Sequence, residues 1–572
     1  MNVPKILIKE ITQVSENNSY LRDDYRDYTP FGLSMYQFME ERARGFGDMT
    51  ALSFYGIKST YSEMFGKIEE AERALRAFGI GNGDIVAMSL PGMPEAVHLI
   101  YAINKIGAIY CAFDCRSQET EILETLDKFD PKLTIIPSFQ LNAFKNVSKH
   151  KVVYIAPTHS IGGPTKVTAF IADVWTGRIF LHGRENLLSY DKFLAKAAEG
   201  ENRPPEKNEG DVFGYFYTSG TTYGRKSIIL TNENVNAAAY QYAITENYVQ
   251  KGEVMLDIMP MFTCYGVTIA MHLPLSLGVY VKLIPLINTT KLKQTLVKEK
   301  PNFIITVPAH WEYFVKENFD GCDLSFLRTV IVGGDKIDPE YEDKINEIFK
   351  KCGTDAWLRC GYGLSESTSV GVLPARGTPK GSVGQPMIHT LIGIFDKDTF
   401  EPLPRGEQGE ICIYGPTVCN GYFKDEEMSR MLLKEHSDGR VWMHSGDVGY
   451  IDENGYLFFC ERLKRMYVRF DGTKISPYSI EQILSQCPPI ARLMVTAIRD
   501  KDHSHGMCAR ALIVLREGVD KKEARAEIDK FIHENLGQHM VPKEIMFVEK
   551  LPYTKMGKLD YFAAAQMENE DK

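Results

Sequence analysis

The sequence predicts an α/β protein, with a large N-terminal domain of layered α/β subdomains followed by a small α+β C-terminal domain. Short runs rich in valine, isoleucine and aromatic residues alternate with helix-length segments through most of the chain. The 572 residues exceed a single core, since one domain takes about 150. The pattern then changes character after a charged stretch at residues 461–465.

Each element has its own local signal. Thr60-Tyr-Ser-Glu63 has the form of a capping box, and Phe65, Ile68, Ala71, Leu75 and Phe78 follow at helical spacing before Gly79, which predicts an amphipathic helix. Residues 85–90, 151–155, 303–308 and 327–332 read as short strands, and 94–106 as a helix between two of them. A polar turn at 452–455 and a strand at 456–459 close the large domain, which places the domains at 1–463 and 464–572. Beyond the seam, Ser476 as N-cap and Pro477 at the first helical position open a helix through Ile480 and Ile483. Residues 509–515 then read as strand and 521–536 as helix.

Composition narrows the class. With 44% hydrophobic, 25% charged and 11% aromatic residues, the chain is ordinary globular protein rather than a disordered or disulfide-framework sequence. A net charge of −9 argues against nucleic acid as a partner. The 11 cysteines are scattered without a CxxC pair, and the N-terminus lacks the basic and apolar regions of a secretory signal, so the expected compartment is the cytoplasm with reduced thiols. The most apolar stretch, 267–287, is interrupted by His272, Pro274, Gly278 and Lys282, which predicts buried helix and strand and no stable membrane insertion. A homodimer is left open.

The strongest local motif is Phe216-Tyr-Thr-Ser-Gly-Thr-Thr-Tyr-Gly-Arg-Lys226, an aromatic strand running into hydroxyls and glycines and ending in two cations. Such a turn suits a polyphosphate: glycine lets backbone N–H groups approach, hydroxyls donate, and lysine neutralises. It is not a Walker loop, because Gly220 and Gly224 enclose three residues and Arg225 precedes the lysine. By composition alone it reads equally as a polar hairpin turn.

Tyr217-Thr-Ser-Gly-Thr-Thr222 followed by Lys226 resembles the signature of the AMP-forming adenylating enzymes: acyl-CoA synthetases, peptide-synthetase adenylation domains and luciferases. Pro260-Met-Phe-Thr-Cys-Tyr-Gly266, Leu327 through Gly333-Gly334, Gly361-Tyr-Gly-Leu-Ser-Glu366, Gly381-Ser-Val-Gly-Gln-Pro386, Gly415-Pro416 with Gly421-Tyr422, and His444-Ser-Gly-Asp447 resemble further family landmarks, in family order. The resemblance is closest to the acyl-CoA synthetases. It implies an ATP-dependent ligase that activates a carboxylic acid, fatty or aromatic, as an acyl adenylate and passes it to coenzyme A, with magnesium as cofactor.

The roles it implies are specific. Thr218, Ser219, Gly220, Thr221, Thr222 and Lys226 would cradle phosphates; Glu366 would hold the metal; Tyr362 would stack on adenine, with Gly334, Asp335, Gly363 and Ser365 beside the nucleotide. Asp447 would accept from the ribose hydroxyls, Arg462 would approach ribose and phosphate, and Lys558 would be the catalytic cation on the reacting centre. Lys464 stands at the family's hinge position, making the small domain mobile, while the places of Asp471 and Gly472 stay open. Thr263, Cys264 and Trp311 are candidates for the acid pocket; Thr263 stands where amino-acid-activating domains carry aspartate, so an ammonium would be buried unpaired and an α-amino acid is disfavoured. Tyr223, Arg225 and Ser227 depart from the family's loop, which leaves a non-catalytic nucleotide binder and an enzyme loading a separate carrier protein as alternatives. Asp502-His-Ser-His505 reads as a polar surface loop rather than a metal site, and Gly363-Leu-Ser-Glu-Ser367 lacks the closing glycine of a nucleophile elbow.

Overall fold

A computed structural model describes residues 32–145, 147, 149–156, 159–160, 186–218, 226–244, 249–285, 287–311, 313–335, 337, 339–465, 467–470, 474–502, 506–554 and 559–567. The chain divides into two compact units: residues 1–380, 384–392 and 413–443 form the larger, and 381–383, 393–412 and 444–572 the smaller.

The larger unit holds two seven-stranded sheets. In the first the order is Leu187–Ser189, Val152–Ile155, Leu133–Pro137, Ile85–Met88, Ile109–Ala112, Val212–Tyr217 and Ser227–Thr231, with only the last pair antiparallel. The second runs Leu358–Cys360, Thr329–Val332, Phe303–Thr306, Val254–Asp257, Tyr280–Leu283, Thr50–Phe54 and Ile57–Thr60, again with one antiparallel edge. Strands such as Phe303–Thr306 and Thr329–Val332 are buried at every position, as expected of parallel sheets covered on both faces. Helix Pro94–Lys105 is buried at every residue from Glu95 on, and Asn232–Ile244 is buried except at Glu233, so both are enclosed on all sides.

Most local expectations hold, with ends trimmed to where pairing stops. Helix Tyr61–Ala77 begins at the predicted capping box: Thr60 Oγ1 accepts from the Glu63 N–H at 3.2 Å, and Glu63 Oε2 accepts from the Thr60 N–H at 2.7 Å. The apolar stretch after Gly266 becomes helical turns Gly266–His272 and Leu273–Ser276 and strand Tyr280–Leu283. No helix among the described residues is long and apolar enough to cross a membrane.

The smaller unit is α+β. The strand Val441–Ile451 enters it at His444 and pairs antiparallel with Leu457–Arg462 across the predicted polar turn, where Gly455 (φ +82°) donates to the Asp452 carbonyl at 3.0 Å. Strands Ile490–Arg499, Met507–Leu515 and Glu544–Phe547 form a three-stranded sheet, its core shared with helices Pro477–Leu484 and Lys521–Asn535 through Ile480, Leu484, Ile528 and Ile532. Ser476 caps the first of these helices, accepting from the Ser479 N–H at 3.1 Å.

Thr60→Ala removes one half of the reciprocal cap of Tyr61–Ala77, so it should lower the urea midpoint of the larger unit by an amount worth about 1 kcal/mol, with the slope of the transition unchanged. Circular dichroism across a urea series checks this.

Candidate active site

The hydroxyl-rich segment joins the antiparallel strands Val212–Tyr217 and Ser227–Thr231, where Tyr217 lies opposite Ser227. Its base is closed by the Thr218 N–H, which donates to the Lys226 carbonyl at 3.0 Å, so Thr218 and Lys226 face one another at its mouth. Ser219, Gly220, Thr221 and Thr222 lie outside the described residues, as do Tyr223 and Arg225.

The free edge of Ser227–Thr231 is taken up by a segment almost two hundred residues away in sequence. Asn420 N–H donates to the Ile229 carbonyl at 3.0 Å, Ile229 N–H to Gly421 at 2.9 Å, and Phe423 N–H to Ser227 at 2.8 Å. This pairing places the Tyr422 ring under Lys226, whose Nζ lies 5.1 Å from the ring centroid, a cation–π distance. At the far end of the ring the Tyr422 hydroxyl donates to Glu366 Oε1 at 2.8 Å. Glu366 sits in the tight turn Ser365–Ser367 and is held by a second tie, its own carbonyl accepting from the Cys419 N–H at 2.8 Å. Lysine, tyrosine and glutamate thus form one row beside the mouth of the turn.

Burial first, and the Glu366 carboxylate next, push the Tyr422 phenol far above its ordinary range, so it remains a donor at any working pH. Burial likewise raises the Cys264 thiol to about 12 and the Cys419 thiol higher still, with Glu366 adding to both, so neither thiol is primed as a nucleophile. The Glu366 carboxylate is half-buried, and among the described residues Tyr422 is its one hydrogen-bond donor. Such a carboxylate fits a hard divalent cation, which takes oxygen ligands and retains waters.

A second group lies at the C-terminal ends of adjacent parallel strands, the place where open α/β sheets bind ligands. Gly334, at φ +89°, and Asp335 follow Thr329–Val332; Gly361, Tyr362 and Gly363 follow Leu358–Cys360. Tyr362 exchanges two backbone hydrogen bonds of 2.9 Å with Val372, which fixes its main chain. A side chain on Gly363 would place Cβ 2.9 Å from the backbone of Ser369 and Val370, so the glycine is required by close packing. Ser365 is half-buried in the same turn as Glu366.

The pocket candidates separate. Thr263 spends its hydroxyl on its own turn, donating to the Pro260 carbonyl at 2.7 Å and accepting from the Gly266 N–H at 3.0 Å. Cys264 is buried. Trp311 is fully buried in the core, its ring centroid 4.9 Å from Phe314 and 5.6 Å from Phe349, with its indole N–H donated to Thr306 Oγ1 at 2.8 Å. Tyr265 instead closes on the end of Thr329–Val332: its hydroxyl is buried without a hydrogen-bond partner among the described residues, and a Cβ on Gly333 would lie 3.1 Å from it. Neither Tyr265 nor Tyr422 was singled out by sequence reasoning, although both stand inside quoted motifs.

In the smaller unit Asp447 and Arg462 are cross-strand partners, with Arg462 Nε 2.9 Å from Asp447 Oδ1. The carboxylate side chain is 1% exposed and the guanidinium 53%, an arrangement that aims a buried acceptor and a solvated cation along one strand pair. Glu461 is buried, and burial raises its carboxyl above the ordinary range. Lys464 lies in the short turn Leu463–Arg465, directly after that strand. Lys558, Asp471, Gly472, His503 and His505 lie outside the described residues.

Residues 39–423 match the family model for AMP-binding enzymes, and residues 479–558 match the AMP-binding enzyme C-terminal domain. The chain belongs to the AMP-binding enzyme family. Within that family it is 27% identical over 552 residues to a long-chain-fatty-acid–CoA ligase of Bacillus subtilis, across 92% of this chain and 93% of the relative. It is 26% identical over 544 residues to 4-coumarate–CoA ligase 1 of Petroselinum crispum, across 93% of each. The fold is shared with the anthranilate–CoA ligase AuaEII in complex with anthranoyl-AMP (TM-score 0.76, 20% identity, 92% of this chain and 95% of that one). It is also shared with ATP-bound MatB from Rhodopseudomonas palustris (TM-score 0.74, 20% identity, 93% and 99%). AMP-forming CoA ligases of this family use ATP, Mg2+ and coenzyme A.

Gly363→Ala should force the backbone of Ser369 and Val370 apart and cost about 1–3 kcal/mol by overpacking. Thermal unfolding should show a lowered Tm, and nucleotide binding by calorimetry should weaken with it.

Proposed function

We propose that this chain is an AMP-forming acid–CoA ligase acting on a fatty or aromatic monocarboxylic acid. The observation that supports it best is the row Lys226–Tyr422–Glu366 at the mouth of the hydroxyl-rich turn, which offers a cation and a metal-binding carboxylate to one polyphosphate. In the first half-reaction a carboxylate oxygen of the acid attacks the α-phosphorus of ATP, and the bond to the β-phosphate breaks with its electron pair leaving on pyrophosphate. In the second, the thiol sulfur attacks the acyl carbon and AMP leaves. A magnesium ion on Glu366 would supply charge neutralisation at the phosphate oxygens.

The chain's own groups do the positioning. Thr218, Ser219, Gly220, Thr221, Thr222 and Lys226 hold phosphates; Tyr362 takes the adenine face, with Gly334, Asp335, Gly363 and Ser365 beside it; Asp447 accepts from the ribose hydroxyls, and Arg462 stands with it. Lys558 neutralises charge as oxygen meets phosphorus, and residues 464–572 turn about Lys464 to remove that lysine before the thiol enters. A monocarboxylate without an ammonium group is supported by Thr263, whose position offers no acid and whose hydroxyl is already used. The buried Tyr265 hydroxyl adds one polar point to an otherwise apolar surround. We place Thr263 and Cys264 along the acid-binding side of the larger unit, and leave Trp311 to the core that buries it.

A screen of AMP release across saturated acids of graded length and aromatic acids, with and without CoA, tests this. Acid-dependent AMP formation that turns over only with CoA is expected, and Lys558→Ala should slow the first half-reaction by about 10²–10³-fold while ATP still binds. Saturable ATP binding with no acid-dependent AMP release would point to a non-catalytic binder, and turnover with a carrier protein in place of CoA would reassign the acceptor.

A further inference from the structure

Asp447 lies in the strand Val441–Ile451 just after a kink at Gly446, and the kink is tethered from the neighbouring strand Gly409–Tyr414. Gly446, at φ +69°, donates its N–H to Glu410 Oε1 at 3.0 Å. The other oxygen of the same carboxylate, Oε2, meets His444 Nδ1 at 2.8 Å. Ser445 completes the fastening: its hydroxyl donates to the Ile411 carbonyl at 2.5 Å and accepts from the Asp447 N–H at 3.0 Å. Glu410 is 7% exposed and His444 6%, and the Phe400 ring packs edge-on against the imidazole at 5.2 Å between centroids. All of these residues belong to the smaller unit.

A buried carboxylate is costly unless each oxygen is bonded, so its retention beside a strand kink with positive φ asks for a reason. Cys412 brings a thiol within 4.8 Å of the glutamate and histidine, a set of metal-ligand types. Both oxygens of Glu410 are nevertheless committed, one to a backbone N–H and one to the imidazole, and a metal would have to break those bonds.

We propose that Glu410 is a positioning residue: its two-point grip on Gly446 and His444 fixes the strand kink that aims Asp447 at the ribose of the nucleotide. The proposal rests on the reading of Asp447 as the ribose acceptor given above. What matters in this device is reach rather than charge. Glutamine keeps the reach, since its carbonyl can accept from Gly446 and its amide can donate to Nδ1 of the other imidazole tautomer. Aspartate keeps the charge but is one methylene short of spanning both partners.

The test compares kcat/KM for ATP with that for 2′,3′-dideoxy-ATP in the full-length chain and in Glu410→Gln and Glu410→Asp, with Tm confirming that each folds. The wild-type chain should prefer ATP by about tenfold or more, the scale of hydrogen bonds to a charged acceptor. Glu410→Gln should keep most of that preference, and Glu410→Asp should lose it while its rate with the dideoxy nucleotide stays near wild type. Any other order overturns the proposal: preference kept in both variants means the grip is dispensable, and preference kept in Asp but lost in Gln means charge is what counts. A wild-type chain that treats the two nucleotides alike removes the ribose role of Asp447, and the positioning role falls with it.

Discussion

The candidate site depends on one piece of backbone pairing: the three hydrogen bonds that lay residues 420–423 along the free edge of Ser227–Thr231. An edge strand must be covered or protected, because its unpaired N–H and C=O groups otherwise remain unsatisfied. Covering it with extended chain has a geometric consequence, since neighbouring side chains then point to opposite faces. Phe423 goes inward, stacking on Phe129 at 4.9 Å and packing on Tyr215, while Tyr422 goes to the side where Lys226 and Glu366 are. The apolar anchor and the polar reach are adjacent residues of one segment, and neither can shift register without the other.

Tyr422 then does two electrostatic jobs at opposite ends of one ring. Its face meets a lysine and its hydroxyl meets a carboxylate, so opposite charges are held on either side of a spacer rather than collapsing into a direct ion pair. A lysine neutralised by its own glutamate would have little left for a phosphate, and the carboxylate would have less for a cation. The smaller unit uses register differently: it sets Asp447 opposite Arg462 in a direct ion pair of 2.9 Å, and a buried carboxylate on the neighbouring strand holds the kink before Asp447.

Much of this fold was legible in the sequence because its signals are local. Thr60 with Glu63, and Ser476 with Pro477, predict helix starts that the structure keeps, since a cap is decided within four residues. The glycine-rich turns at 333–335 and 361–363 were legible as motifs, and the structure gives their reasons: Gly333 meets the Tyr265 ring, Gly334 takes a positive φ, and Gly363 packs against the Ser369 and Val370 backbone. What stayed hidden is long-range. Nothing near Glu366 in sequence announces that its partner is Tyr422, fifty-six residues on, because edge pairing decides it. Trp311 stood as a candidate for the acid pocket, yet its indole is satisfied by Thr306 inside the core, a fact that burial alone reveals. The assignment of 381–383 and 393–412 to the smaller unit was equally invisible, since those residues lie before the charged stretch at 461–465.

If the row of three side chains works as one device, Tyr422 and Glu366 must be energetically coupled in forming the acyl adenylate. A double-mutant cycle of Tyr422→Phe and Glu366→Gln, read by acid-dependent exchange of labelled pyrophosphate into ATP, measures that coupling directly. The predicted result is non-additivity of about 1–2 kcal/mol, the double variant being little worse than Glu366→Gln alone. Additive losses, within about 0.3 kcal/mol, would contradict the account.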